Sequence, residues 1–297
     1  MFKHRFFILV ASSVTIAIFS FSITSPSMAY DAAALKWAWP EDECGTDDSR
    51  FDTYGDDWIT VMSGHSWTVT NDATIFAQEI ADDGQVAWGD DDNSNNIDAN
   101  TAALVLTHGY CVQDDLSPAN ANGCWSDAYH NAYKLTTPLN NPLENCWTYS
   151  SDWFFGNDSA NFIHSTACHS ASYVVTYFRG RYEAMAPTLH QYGGIHGADY
   201  IPQGSHLDDF ATEAFSSSMS SAWLNNMYCD ACYTDPNDMC AISIVQGSTL
   251  ATAQTRRDNE RYNYQYVDPD GSYGVYHFVG DCDGPGVDTW ESEDWYN

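Results

Sequence analysis

A continuous apolar run of strand length occurs at residues 102–107, and residues 161–167 are a second candidate for a buried strand. An apolar run without alternation is typical of a strand that is buried on both faces of a parallel sheet. Apolar residues at helical spacing predict helices at 71–81, 172–185 and 207–224. Because strands alternate with helices, the pattern predicts an α/β sandwich with a mainly parallel sheet.

Shorter runs rich in β-branched or aromatic residues predict further strands. These strands are expected at 57–63, 85–88, 188–192, 241–245 and 274–279. Residues 30–56 show no clear period and are interpreted as an N-terminal lead-in wrapped on the surface. The folded domain is then expected to span 57–297, with an irregular insertion at 110–160 that is rich in cysteine and tryptophan.

The first 29 residues (1–29) have the pattern of a secretory signal peptide. Lys3 and Arg5 form a basic start, an apolar segment follows, and Ser27 and Ala29 provide small residues at the cleavage positions. A retained membrane anchor is the alternative interpretation. We expect the signal peptide to be cleaved and the mature protein to be secreted to the extracellular space or the periplasm. After cleavage, no membrane association is expected.

Charge narrows the range of partners. The chain carries 41 acidic against 10 basic residues, a formal net charge of −31. Nucleic acid is not an expected partner, because binding to phosphates requires Lys and Arg to release counterions. The hydrophobic content of 44% supplies ample material for a core. Peptides and proteins remain the expected partners or substrates.

Nine cysteines follow the predicted signal peptide, and an oxidising compartment preserves disulfides. An odd number leaves at least one cysteine unpaired within the monomer. Eight lie in turn-rich segments suited to bridges: Cys44, Cys111, Cys124, Cys146, Cys229, Cys232, Cys240 and Cys282. Zinc ligation by the 229–240 group is an alternative, but a second Cys-x-x-Cys pair is missing and disulfides are favoured. Cys168 is the natural unpaired thiol.

Reactive side chains follow both predicted buried strands, at 102–107 and at 161–167. His108 and Gly109 come after the first run, and Cys168 comes after the second. In open α/β sheets chemistry collects beyond the carboxyl ends of the strands, so these residues are candidates for one site. A cysteine thiolate is a strong nucleophile, and a nearby imidazole lowers the pKa of its thiol.

The two segments, Leu104-Val-Leu-Thr-His108-Gly109 and Phe162-Ile-His-Ser-Thr-Ala-Cys168, resemble the caspase–gingipain–legumain clan of cysteine peptidases. That clan places its catalytic His and Cys at the ends of neighbouring parallel strands, in this order. The resemblance implies a caspase-like three-layer α/β/α sandwich. It also implies that His108 protonates the departing amine, while the backbone N–H groups of Gly109 and Cys168 form the oxyanion hole.

Three later segments are similar to an uncharacterised secreted caspase-like family: Leu189-His190, Leu207-Asp-Asp-Phe210 and Ala222-Trp223. This likeness covers about residues 55–280. It favours a secreted cysteine endopeptidase that requires no cofactor. Two other interpretations stay open: a catalytically silent caspase-like extracellular binding protein stabilised by disulfides, and a structural extracellular module.

An acidic loop at 90–98 partly matches a calcium-binding loop. The oxygen donors at positions 1, 3, 5 and 9 of that pattern are Asp90, Asp92, Ser94 and Asp98. Asn95 replaces the usual glycine, and Thr101 stands where a bidentate Glu is expected. A solvated acidic turn is therefore the alternative, and calcium is the one cofactor that the sequence leaves open.

Overall fold

The computed structural model describes fourteen segments of the chain. These are residues 30–36, 49–72, 75–87, 89–93, 96–113, 129–134, 147–149, 152–167, 170–171, 189–196, 206–227, 240–266, 273–279 and 290–296. The predicted signal peptide, the helix predicted at 172–185 and Cys168 lie outside the described residues.

Eleven strands and four α-helices are present in these segments. The strands are β1 (Asp31–Lys36), β2 (Thr68–Asp72), β3 (Ala102–Leu106), β4 (His108–Gln113), β5 (Tyr129–Lys134), β6 (Trp147–Tyr149), β7 (Phe162–Ser165), β8 (Gln191–His196), β9 (Cys240–Gly247), β10 (Tyr273–Val279) and β11 (Trp290–Tyr296). The helices are α1 (Ser49–Gly64), α2 (His206–Ala214), α3 (Met219–Met227) and α4 (Leu250–Asn259). A short 3₁₀ turn spans Ala77–Glu79.

Eight strands form one sheet in the order β11-β10-β9-β8-β7-β3-β1-β2. Five adjacent strands of this sheet, β2, β1, β3, β7 and β8, pair in parallel. The β8–β9, β9–β10 and β10–β11 pairs are antiparallel. The protein is thus a mixed α/β protein built on a largely parallel sheet, as the alternation of strands and helices predicted.

Both predicted buried strands are present, as β3 and β7, and the two strands are neighbours. β3 pairs with β7 in parallel, from Ala102 opposite Phe162 to Val105 opposite Ser165. Every residue of both strands is buried. The absence of alternation follows from this burial, because each face of the sheet is covered.

Strand β1 corrects the interpretation of residues 30–56 as a surface lead-in. It lies inside the sheet, between β2 and β3, and Ala32 to Leu35 are fully buried. Lys36 ends the strand and is also buried, because its ammonium group pairs with Asp52 and Asp56 of α1. The paired lysine and the small alanines hide the apolar character that identifies other inner strands.

The segment predicted as a strand at 57–63 belongs to helix α1. Its buried residues, Phe51, Gly55, Trp58 and Met62, recur every three or four positions and form one stripe that faces the sheet. The β-branched residues within 57–63 favoured a strand locally. The helical stripe prevails because it buries two large side chains.

Helix α1 ends in a Schellman motif with serine at the left-handed position. Ser66 has a φ of 67°. The Trp67 N–H donates to the Met62 carbonyl at 3.2 Å, and the Ser66 N–H donates to the Ser63 carbonyl at 3.0 Å. Trp67 and Met62 also join the same hydrophobic core. Glycine is the usual residue at this position, because a Cβ is strained there.

Ser66→Gly should therefore stabilise the protein. Glycine removes the left-handed strain, which costs on the order of 1 kcal/mol, although it adds entropy to the unfolded chain. We expect a net gain of about 0.5 kcal/mol and a higher midpoint in thermal unfolding. Ser63→Gly, inside the same helix, is the matched control and should lower the midpoint by a similar or larger amount.

Other predicted elements agree in part. The strands predicted at 241–245 and 274–279 lie within β9 and β10. The helix predicted at 71–81 is wrong, since β2 and a 3₁₀ turn occupy that region. Residues 85–87 form a turn instead of a strand. The strand predicted at 188–192 is shifted along the chain to β8.

The helix predicted at 207–224 is two helices, α2 and α3, separated by the Ser216–Ser218 cluster. Ser218 accounts for the break, because its hydroxyl accepts the Ser221 N–H in the first turn of α3. The insertion at 110–160 contains three strands, which form a separate antiparallel sheet in the order β4-β5-β6. Helix α4 and strand β11 were not predicted.

The main core lies between the sheet and helices α1, α2 and α3. Even-numbered residues of β1, β3 and β7, such as Ala34, Leu104 and Phe162, face these helices. Odd-numbered residues of the same strands, including Val105 and Ile163, face the other side and are also buried. Within the described residues no helix is long and apolar enough to cross a membrane.

Candidate active site

The carboxyl ends of the parallel strands form the edge where the sequence predicts chemistry. In the sheet, β1 lies between β2 and β3. The chain adds β2 on one side of β1 and then β3 on the other side, so the strand order reverses between β1 and β3. Ligands of open α/β sheets bind at such a reversal. His108 follows β3 directly, beyond Leu106 and Thr107. It therefore lies at the reversal point.

His108 is half-buried and held from two directions. Its ring makes an edge contact with Phe51 in the first turn of α1, with 5.5 Å between ring centroids. It also begins β4, opposite Lys134 of β5. Gly109 is the next residue of β4, is buried, and lies opposite Tyr133. The three-stranded sheet of β4, β5 and β6 thus starts where β3 ends, and its pairing fixes the backbone of His108 and Gly109.

Cys168 lies outside the described residues. Ala167, which precedes it, and Ser170, two positions after it, are described. The Ser170 N–H donates to the Ala167 carbonyl at 3.1 Å. The Ser170 hydroxyl accepts the Ile195 N–H at 2.9 Å, and Tyr192 donates its hydroxyl to the Ser170 carbonyl at 3.0 Å. Sequence reasoning identified neither Ser170 nor Tyr192.

Lys36 lies at the carboxyl end of β1, on the helix side of the sheet. Its ammonium group is 2.6 Å from Asp52 Oδ1 and 2.9 Å from Asp56 Oδ1. Hydrogen bonds from Lys36 and Asn71 lower the pKa of Asp56 below its usual value. The two carboxylates therefore neutralise the lysine, and it serves to join β1 to α1.

His164 lies in the core and not at the strand end. Its ring packs on Phe210 of α2 and Trp223 of α3, at centroid distances of 4.7 and 5.0 Å. A Cβ at the opposite residue, Gly193, would overlap this ring. Neither ring nitrogen has a hydrogen-bond partner among the described residues. Burial therefore lowers the pKa of His164 to about 3.

His190 belongs to a buried polar network at the opposite edge of the sheet. Its Nδ1 is 2.8 Å from Glu260 Oε1, and its Nε2 is 3.2 Å from an Arg256 nitrogen. Arg256 also donates to the Gln246 carbonyl at 2.7 Å. These bonds tie the start of β8 to β9 and α4. Together with His164, this shows that the Leu189-His190, Phe210 and Trp223 segments serve in packing.

The acidic loop was the candidate calcium site. Asp98 is fully buried and accepts the backbone N–H groups of Gly156 and Asp158, at 2.7 and 3.0 Å. Asp90 accepts from Asn93, Asp92 is exposed, and Ser94 lies outside the described residues. Within the described part of the chain no three His, Cys, Asp or Glu side chains are grouped to hold a metal. Calcium binding stays a prediction.

Three carboxyl groups have raised pKa values: Asp91 and Asp98 of this loop, and Glu79 of the preceding 3₁₀ turn. Burial raises the pKa of Glu79 to about 7 and that of Asp98 to about 6. Burial, with the nearby charges of Asp98 and Asp82, raises the pKa of Asp91 to about 8. These groups favour the folded state when protonated, so their contribution to stability declines as the pH rises from about 4 to about 8.

Two of the eight disulfide candidates fall in described strands. Cys111 lies in β4, opposite Asn131 of β5, and Cys240 begins β9, opposite His196 of β8. The other six candidates lie outside the described residues. The disulfide predictions therefore stay predictions.

No family model, curated protein or solved structure matches this chain. The likeness to caspase-type peptidases thus rests on the segments around His108 and Cys168.

Proposed function

We propose that the protein is a secreted, caspase-like cysteine endopeptidase in which Cys168 is the nucleophile and His108 the proton donor. The observation that carries the proposal is the parallel pairing of β3 with β7. Val105 lies opposite Ser165 in that pairing, and His108 and Cys168 each follow three residues later in the sequence. Because His108 and Cys168 lie the same number of residues beyond paired positions of two adjacent strands, their side chains are expected to share one site.

The proposed reaction uses these two residues and the backbone. The Cys168 thiolate attacks the carbonyl carbon of the peptide bond, and the N–H groups of Gly109 and Cys168 stabilise the oxyanion. The carbon–nitrogen bond then breaks, and the amine leaves with a proton from the His108 imidazolium. Water attacks the thioester, returns a proton to His108, and releases the carboxylic acid and the thiolate.

We also propose that the fold is a caspase-like three-layer α/β/α sandwich. A caspase-like three-layer sandwich agrees with a sheet whose inner strands are buried on both faces and with helices α1 to α3 on one of them. Secretion agrees with the N-terminal sequence pattern and with the acidity of the chain. The proposed substrates are peptides or proteins.

Thiol labelling of the native protein tests the proposal. Iodoacetamide should alkylate Cys168 selectively at neutral pH, and peptide mapping should find the other cysteines modified only after reduction and unfolding. Cys168→Ser should abolish the rapid phase. Recovery of Cys168 in a disulfide, or an inert Cys168 thiol in the folded protein, would contradict the peptidase and favour a silent binding protein.

A further inference from the structure

A dense set of hydrogen bonds fixes the two ends of the stretch 167–170. The Ser170 hydroxyl accepts from the Ile195 N–H and donates to the Ser165 carbonyl at 3.3 Å. The Ser165 hydroxyl accepts the Ala167 N–H at 3.2 Å. Ser170 therefore joins the end of β7 to the end of β8, and Ser165 fixes Ala167, the second residue beyond β7.

Strand β8 holds this stretch from the other side. The Ala171 N–H donates to the Ile195 carbonyl at 3.0 Å, and the Tyr192 hydroxyl donates to the Ser170 carbonyl. A Cβ at Gly194 would lie 2.6 Å from the Ala171 Cβ, so a glycine is required for this close approach. The two segments therefore touch along their backbones.

These bonds lie in the protein interior. Ser165 and Tyr192 are fully buried, and Ser170 is 1% exposed. Hydrogen bonds in such a setting do not compete with water, and the loss of one partner leaves the other group unsatisfied. This buried set fixes Ala167, Ser170 and Ala171, which lie beyond the last residue of β7, Ser165.

We infer that Ser170 and Tyr192 are positioning residues, which hold the stretch 167–170 so that the Cys168 thiol meets its substrate and the backbone N–H groups in a fixed orientation. This inference rests on the proposed function and adds the residues that control the reactivity of its nucleophile. Both act through the backbone groups around Ser170.

The thiol pKa reports this positioning. Backbone N–H groups and a neighbouring imidazole lower the pKa of a cysteine only at short range and in the right direction. When the stretch is released, the thiol pKa should rise toward the ordinary value of about 8.5. A rise of one unit lowers the thiolate fraction about tenfold at a pH below the pKa.

Site-specific alkylation of Cys168 as a function of pH tests the inference. We expect Ser170→Ala to slow iodoacetamide alkylation at pH 6.5 about tenfold, and Tyr192→Phe about threefold, through a higher thiol pKa. The kcat for peptide cleavage should fall in parallel, with little change in KM. Tyr192→Phe keeps the aromatic packing, so it remains informative if Ser170→Ala folds poorly.

Two matched controls separate positioning from general destabilisation. Ser218→Ala removes a serine that accepts a backbone N–H at the start of α3, and Tyr262→Phe removes a buried hydroxyl on the helix side of the sheet. Both should leave the pH profile of Cys168 alkylation within twofold of the wild type, even where thermal unfolding shows lower stability.

The outcomes distinguish this inference from the proposed function. A wild-type protein with an inert Cys168 overturns the proposed function. A reactive Cys168 whose pH profile is unchanged in folded Ser170→Ala and Tyr192→Phe overturns the positioning role and leaves the peptidase intact. An equal shift in the Ser218→Ala and Tyr262→Phe controls also overturns the positioning role, because destabilisation alone would then account for it.

Discussion

Cys168→Ala should abolish peptide cleavage, with a loss in kcat of roughly 10⁴-fold or more, because the variant has no nucleophile. His108→Ala should lower kcat by about 10²- to 10⁴-fold, the usual contribution of a positioned general acid. The two residues act in one sequence of steps, so the double variant should be no slower than Cys168→Ala. Initial rates on a fluorogenic peptide library measure all three effects.

His65→Ala is the matched control for the histidine. His65 is exposed and stacks on Phe215, with 3.6 Å between ring centroids, on the turn after α1. Its removal should leave kcat within twofold of the wild type. Cleavage that persists in Cys168→Ala at the wild-type rate would exclude Cys168 as the nucleophile and point to a contaminating peptidase or another residue.

Acid should destabilise the protein through His164. The folded state holds this histidine with a pKa of about 3, against an ordinary value of 6.5. The unfolded state therefore binds the extra proton first, and stability should decrease as the pH falls from about 6.5 toward 3. The slope approaches about 1.4 kcal/mol per pH unit, which over this range is comparable to the whole stability of a typical domain.

Urea unfolding of the wild type and of His164→Met at several pH values measures this effect. Methionine adapts to the space between Phe210, Trp223 and Gly193 and carries no titratable group. Any packing penalty is independent of pH, so the difference between the two free energies of unfolding should change with pH only below about 6.5. A constant difference would show that His164 is charged or hydrogen-bonded in the folded protein.

Asp91→Asn provides a second variant with the opposite sign. The Asp91 carboxyl has a pKa raised to about 8, so its ionisation costs stability as the pH rises. Between about pH 4 and 8, the stability of the variant should fall less with rising pH than the stability of the wild type. On the acid side, the stability of both proteins should fall with falling pH. Together the two variants assign each limb of the pH profile to one part of the molecule.

The sequence predicted the strands that carry the site more reliably than their neighbours. β3 is apolar on both faces, and few structures other than a doubly covered strand produce that pattern at this length. β7 contains His164 and Ser165, and it was recognised from its length and position after β3. β1 was missed because its apolar residues are mostly alanine and its last residue is a lysine. The pairing of Lys36 with Asp52 and Asp56 depends on the packing of α1, which local sequence does not contain.

The site itself was predictable only as far as single positions allow. The resemblance implied that the strands before His108 and Cys168 are neighbours, and the β3–β7 pairing agrees with that adjacency. Ser170 and Tyr192 carry no comparable signal, because their hydroxyls bind backbone groups of another segment. Such contacts arise from the tertiary arrangement, and a serine or tyrosine elsewhere in the chain looks the same in sequence.

The inner position of β1 bears on how the chain folds as it is made. β1 leaves the ribosome before either of its partners, and β3 pairs with it only after α1, β2 and the acidic loop have emerged. Until then the edge of β1 that will face β3 has unpaired backbone N–H and C=O groups, which can pair with another chain. The sheet therefore closes from its first strand outward, and export of an unfolded chain would postpone that closure until the whole sheet is present.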